Sequence, residues 1–129
     1  MKRLMLILCS ALSFFCCAQK RQFETCSPSE FEKLLKGNPD VQLVDVRRPD
    51  EYAAGHIAHA VLINVQDSGF VAKAVALLDR SKPVAVYCRS GKRSREAAGL
   101  LSKEGFKVHE LSDGYNGWVA YQASKHEGK

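Results

Sequence analysis

The sequence predicts an α/β fold whose parallel sheet is covered by helices on both faces. Three observations predict it. Short β-branched runs alternate with stretches of helical spacing from residue 22 to residue 122. Gly and Pro punctuate the junctions, with no internal repeat and no low-complexity linker between them. The chain has 129 residues, 46% of them apolar and 26% charged, which suits one globular domain. Ligands of such sheets bind outside the carboxyl ends of the strands.

The elements follow in order. Residues 22–25 predict a short edge strand. Ser27-Pro28-Ser29-Glu30 is a capping box with Pro at the first helical position. The helix it opens carries Phe31, Leu34 and Leu35 on one face and stops at Gly37. Residues 41–46 form a β-branched strand, and Pro49-Asp50-Glu51-Tyr52 starts a short helix ending near Gly55. Residues 61–65 predict a second buried strand. Val71, Ala74, Val75 and Leu78 give helical spacing over 70–79. Residues 83–87 are a third strand that ends at Cys88. A helix over 93–104 turns Ala97, Leu100 and Leu101 inward, with Gly105 after it. A strand over 106–111 and a last helix over 118–123 complete the series, and 125–129 read as a frayed tail.

The first 18 residues stand apart. Lys2 and Arg3 precede an almost wholly apolar stretch to Cys17, and Ala18-Gln19-Lys20-Arg21 returns to polar. That order describes a secretory signal peptide over 1–18, with a single domain over 19–129. Cleavage after Ala18 is one outcome. Lipidation of Cys17 as the new N-terminus is the other, on a loose motif match, since Phe14 and Cys16 stand where Leu and a small residue are usual. The expected localisation is exported: periplasmic, or lipid-anchored in a bacterial envelope.

Composition excludes several classes. No apolar run reaches the roughly 20 residues of a membrane-spanning helix. The five Cys include no paired CxxC, which removes a metal scaffold and disfavours a thiol-disulfide redox protein. Without residues 1–18, 17 cations face 14 acids, and a net charge of +3 is too weak to argue for nucleic acid. Only Cys26 and Cys88 lie in the body of the chain.

The chemistry points to Cys88. It follows Val84-Ala85-Val86-Tyr87 and precedes Arg89-Ser90-Gly91-Lys92-Arg93 and a helix. Backbone N–H groups converge on such a strand-to-helix loop, and the helix dipole adds partial positive charge. Arg89, Lys92 and Arg93 add full charges. Each effect favours thiolate over thiol and makes Cys88 a nucleophile. Gly91 lets the loop curl, and Ser94 either caps the helix or donates its hydroxyl to a bound anion. An inert buried cysteine is the bland alternative, and three cations within five residues argue against it.

Three motifs carry a family resemblance. Cys88-Arg89-Ser90-Gly91-Lys92-Arg93-Ser94 resembles the active-site loop of rhodanese-like sulfurtransferases. Leu43-Val44-Asp45-Val46-Arg47 with Glu51-Tyr52-Ala53-Ala54-Gly55-His56-Ile57 resembles that family's other signature. Gly114-Tyr115-Asn116-Gly117-Trp118 is similar to its closing stretch, with Asp113 where Gly is common. The likeness spans residues 22–122.

The resemblance implies a three-layer α/β/α fold with a five-stranded parallel sheet in the order 1-5-4-2-3. It implies that Cys88 takes a sulfane sulfur from a small anionic donor such as thiosulfate and becomes a persulfide. The sulfur then passes to cyanide, a thiol or a thiol protein, without cofactor or metal. The loop over 88–93 has the six-residue length of sulfurtransferases; relatives acting on phosphate or arsenate carry one residue more. Arg89, Ser90, Gly91, Lys92, Arg93, Ser94 and Arg47 become the substrate-binding residues, and Asp45, Glu51 and His56 the structural support. Asp45 is expected to accept backbone N–H bonds. A salt bridge to Glu51 is the alternative for Arg47. His56 is expected to hold its turn, and Trp118 to pack. His59 stands where the family often has Gly or Asn, and His tolerates positive φ. In the family's strand order, Cys26 lies two strands from Cys88, roughly 9–10 Å, beyond the about 7 Å that a disulfide spans. Cys26 is therefore a bystander. The chain is expected to be a monomer that meets a membrane only through an N-terminal lipid. A non-enzymatic persulfide carrier or docking domain is the alternative function.

Overall fold

Ser27 closes the capping box that the sequence predicts, and the rest of the architecture follows the same local signals. In the computed structural model, which describes residues 22–127, Ser27 Oγ accepts from Glu30 N (3.3 Å) and Glu30 Oε1 accepts from Ser27 N (3.1 Å). The elements are β1 (Glu24–Cys26), α1 (Pro28–Gly37), β2 (Gln42–Asp45), α2 (Pro49–Ala54) and β3 (Val61–Leu62). They continue with α3 (Phe70–Leu77), β4 (Val84–Tyr87), α4 (Lys92–Lys103), β5 (Val108–Leu111) and α5 (Gly114–Glu127). The leader and Cys17 lie outside the described residues.

All five strands are parallel, in the order β1-β5-β4-β2-β3. This is the order that the resemblance implies. β4 lies at the centre and is buried along its whole length. Its side chains alternate between two cores. Val84, Val86 and Cys88 pack with α3 and α4, through Phe70, Ala74, Ala97, Ala98 and Leu101. Ala85 and Tyr87 point the other way, toward Phe31 of α1 and the partly buried Tyr115 and Trp118 of α5. Phe31 and Trp118 meet edge to face with centroids 6.1 Å apart.

Three expectations change. The strand expected over 61–65 shortens to two residues, and Val61 is 48% exposed rather than buried. It is an edge strand, and the chain beyond it holds to β2 through Ile63 N to Asp45 O and Val65 N to Val46 O. The last helix starts at Gly114, not at 118, and continues through 125–127, where a frayed tail was expected. Lys125 Nζ reaches Glu32 Oε2 on α1 at 2.8 Å, so the end of α5 is tied to its neighbour. His59 adopts φ 71° and is the one non-glycine residue at positive φ among the described residues.

Candidate active site

The strand β4 delivers Cys88 to the carboxyl edge of the sheet, and two helices hold the loop that follows. The first turn of α5 takes the loop carbonyls: Tyr115 N donates to Cys88 O (2.7 Å) and Asn116 N to Arg89 O (3.1 Å). Gly114, at φ 63°, lies against this loop so closely that a Cβ there would strike the Arg89 carbonyl and Ser90 N. Gly91 is the N-cap of α4 at φ 112°, where a side chain would strike Ser112 O. Both positions require glycine sterically as well as conformationally. The closing motif around Gly114 thus acts as the clamp of the cysteine loop.

The loop curls around the sulfur. Gly91 N donates to Cys88 Sγ at 3.0 Å, and Ser94 Oγ lies 3.4 Å from it. Cys88 is 1% exposed. Burial alone pushes its thiol up. Hydrogen bonds from the Ser94 hydroxyl and from the N–H groups of Ser94, Gly91 and Ser90 outweigh that and hold it below the ordinary value. The depression therefore comes from hydrogen-bond donors at the sulfur more than from the three nearby cations to which the sequence also points.

A pocket of about 480 Å³ opens over the loop, lined by Arg48, Glu51, Gln66, Arg89, Ser90, Lys92, Arg93 and Glu96. Four cations face two carboxylates there, so the mouth is net positive. Arg93 holds Glu51 in a two-point pair, Nη1 to Oε1 at 2.6 Å and Nη2 to Oε2 at 2.9 Å. The pair drives the Glu51 carboxyl down to about 2, and the carboxylate in turn raises Arg93. Arg89, Ser90 and Lys92 are exposed at the rim, and Gly91 is buried beneath it.

Three expected substrate contacts move: Gly91, Arg47 and Ser94 do not line the pocket. Arg47 does not line this pocket and does not pair with Glu51. It is 3% exposed, and its Nη2 reaches Asp45 Oδ2 at 2.7 Å and Gly55 O at 2.6 Å. Its guanidinium also lies 4.5 Å from the centroid of Tyr115. A buried arginine needs a buried acid, and Asp45, two residues back on the same strand end, is nearer than Glu51. Ser94 is fully buried; it neither caps α4 nor lines the pocket. Its hydroxyl lies 3.4 Å from the sulfur, 2.8 Å from Glu110 Oε1 and 3.0 Å from Gly91 O.

Asp45 and His56 each make local hydrogen bonds. Asp45 Oδ1 accepts from Arg47 N at 3.0 Å. His56 Nδ1 lies 2.8 Å from Tyr52 O, with its ring stacked 3.7 Å from that of Tyr52, so it braces the turn after α2. Sequence reasoning missed Arg48, Gln66 and Glu96 at the pocket and Glu110 beneath it. For Glu110 a signal exists: it is an acid inside the run 106–111, on the same strand face as Val108.

The family model for the rhodanese-like domain matches residues 27–121, nearly all of this architecture. The chain belongs to the rhodanese-like family. Its relatives include the thiosulfate sulfurtransferase GlpE of Pseudomonas aeruginosa, 32% identical over 97 residues, covering 74% of this chain and 84% of the relative. The corresponding protein of Coxiella burnetii is 35% identical over 92 residues, covering 70% of this chain and 82% of its own. Among solved structures, a rhodanese-related protein from Thermoplasma volcanium superposes with a TM-score of 0.67 at 26% identity, covering 77% of this chain and 93% of that one. In this rhodanese-like domain the matched span includes Cys88 and its loop.

Proposed function

We propose that this rhodanese-like domain is a sulfurtransferase that moves a sulfane sulfur from thiosulfate or a related anion to a thiophilic acceptor, through a persulfide on Cys88. One observation carries the reading: the loop that donates the Gly91 N–H to the Cys88 sulfur also turns Arg89, Lys92 and Arg93 into a pocket whose lining includes Arg48, Glu51 and Glu96. Relatives at about one-third identity are named thiosulfate sulfurtransferases, which supports the same donor.

The steps balance without a cofactor. The Cys88 thiolate attacks the outer sulfur of thiosulfate, the S–S bond of the donor breaks, and sulfite leaves with the bonding pair. The product is a persulfide whose terminal sulfur carries the negative charge. The pocket cations draw in the dianion and the expelled sulfite. The N–H groups that hold the thiolate are oriented to hold the persulfide as well, without reorganising during the reaction. Cyanide or a thiolate then attacks the terminal sulfur and restores the Cys88 thiolate. The burial of Cys88 favours small acceptors over a protein that would have to reach past the loop. We further propose that the chain is exported, with maturation after Ala18 or lipidation at Cys17.

Intact-mass analysis of mature protein exposed to thiosulfate tests the reading. One added sulfur, located on Cys88, removed by cyanide and absent from Cys88→Ser, is the expected result. No adduct, or an adduct that persists in Cys88→Ser, overturns it. The same spectrum gives the N-terminal residue and any lipid.

A further inference from the structure

Glu110 is an acid in a place that does not suit an anion. It stands on β5, next to β4 in the sheet, and is fully buried. Its Oε1 lies 2.8 Å from Ser94 Oγ, and its Oε2 has no hydrogen-bond partner among the described residues. Ser94 Oγ in turn lies 3.4 Å from Cys88 Sγ, so one hydroxyl bridges the buried carboxyl and the nucleophile. The same hydroxyl is 3.0 Å from Gly91 O.

Counting hydrogens decides how these groups ionise. A serine hydroxyl has one hydrogen and two lone pairs. If Cys88 and Glu110 were both anions, three acceptors (thiolate, carboxylate and Gly91 O) would compete for that one hydrogen. With a single proton shared between them, the chain is continuous. Glu110 donates to Ser94, and Ser94 donates to sulfur. The proton can sit at either end, and the donors at each end differ. The sulfur also receives the Gly91 N–H at 3.0 Å, whereas Glu110 Oε2 receives no hydrogen bond from the described residues. The negative charge therefore belongs on the sulfur and the proton on the carboxyl.

We propose that Glu110 is the proton store of Cys88: through the Ser94 hydroxyl it takes up the thiol proton and keeps it while the sulfur works as thiolate and persulfide. The Cys88 S–H proton passes to Ser94 Oγ as the Ser94 hydrogen passes to Glu110 Oε1, leaving a thiolate and a neutral acid, with nothing gained from or lost to solvent. Glu110 acts through Ser94, so it is a positioning residue. The other groups around it do not provide a counterion in contact. From β1, Thr25 faces it, and Cys26 ends the same strand. Burial is the largest influence on its carboxyl and keeps it above the ordinary range, although the Ser94 and Thr25 hydroxyls and Arg95 of α4 pull it down; Asp113 adds to the rise. The inference rests on Cys88 being the nucleophile, but not on which sulfur donor it uses.

Infrared titration of the whole protein tests it without any substrate. At pH 7 a protonated-carboxyl stretch coexists with the ultraviolet absorbance of the Cys88 thiolate, and the stretch is absent from Glu110→Gln. Blocking Cys88 with iodoacetamide, or replacing it in Cys88→Ser, removes the sulfur's charge. The midpoint at which the carboxyl ionises then falls by about 1 pH unit or more, as expected of a coupled pair. A carboxyl already ionised at pH 7, or a midpoint that is the same with Cys88 free and blocked, overturns the proposal even where sulfur transfer from thiosulfate is intact. The comparison of free with blocked protein stands if Glu110→Gln fails to fold. A sulfur adduct that never forms while the two groups remain coupled defeats the functional reading instead.

Discussion

Cys26 and Cys88 occupy comparable places and have opposite chemistry. Each lies at or just beyond the carboxyl end of a strand in the same parallel sheet, each is buried, and each is followed by a helix. Yet the Cys26 thiol is pushed up to about 11, by burial first and then by Glu30 and Glu24, whereas Cys88 is held below its ordinary value. The difference lies in what the following helix does with its first N–H groups. At α1, Pro28 has no N–H to give, and Ser27 and Glu30 satisfy each other in the capping box. At α4, the N-cap is Gly91 with no side-chain cap, and its N–H turns to the sulfur. A helix start with uncommitted donors makes a nucleophile, and one whose donors are committed makes an inert core thiol. Strand-end position and burial do not distinguish the two.

The largest test of this contrast is to exchange the sulfurs for oxygen. Cys88→Ser drops thiocyanate formation from thiosulfate and cyanide to background, while Cys26→Ser stays within about twofold of the parent. Equal losses in both variants would break the comparison. Next in size is Gly91→Ala. Its Cβ meets Ser112 O and its φ of 112° is costly for alanine, so the variant loses about 1–3 kcal/mol of stability. The cradle must open to accommodate it, so the Cys88 thiol titrates at higher pH. Gly114→Ala pushes on the same loop from α5 and is expected to act in the same direction. Thermal melts and the thiolate absorbance read both effects.

Much of this was legible in the sequence. Ser27-Pro28-Ser29-Glu30 announced α1, and the run before Cys88 announced β4. These are local signals, carried by propensity and capping within a few residues. The fate of Arg47 was not legible, because its choice between Asp45 and Glu51 depends on which partner burial leaves in reach. Nor was the length of α5. Its start is set by Gly114 pressing on a loop 25 residues earlier, and its end by Lys125 meeting Glu32 across the helix pair. The contact between Ser94 and Glu110 joins α4 to β5 and has no marker in either segment alone. Even so, an acid among apolar strand residues was visible.

A smaller effect separates the pocket rim from the sulfur beneath it. The Arg93 pair holds the Glu51 carboxyl at about 2, below the ordinary 4.5. A carboxylate with a depressed folded-state value contributes stability that is fully present above pH 4.5 and is lost as pH falls toward 2. Glu51→Gln removes that contribution, so its melting temperature falls less steeply than the parent's across this window. At pH 7 the thiolate absorbance of Cys88 is unchanged, since the sulfur's donors are backbone N–H groups and Ser94. A simultaneous loss of the thiolate would mean that rim charge, rather than the cradle, ionises Cys88.

The smallest effect needs no variant and sets burial against hydrogen bonding in a single reaction. Cys88 is 1% exposed and Cys26 8% exposed, so accessibility alone predicts that an alkylating reagent reaches Cys26 first. Ionisation predicts the reverse. With its thiol at about 11, only about one Cys26 in a thousand is thiolate at pH 8. A more basic thiolate is intrinsically more nucleophilic, but that recovers only about half of the deficit on a logarithmic scale. Cys88 is therefore expected to react with iodoacetamide about tenfold or more faster than Cys26 at pH 8, as read by peptide mass mapping over time. The ratio should shrink as pH rises toward 11 and the Cys26 thiolate accumulates. If Cys26 reacted first at pH 8, the loop over Cys88 would be closed to small reagents. The cradle would then be holding a thiolate that no donor could reach.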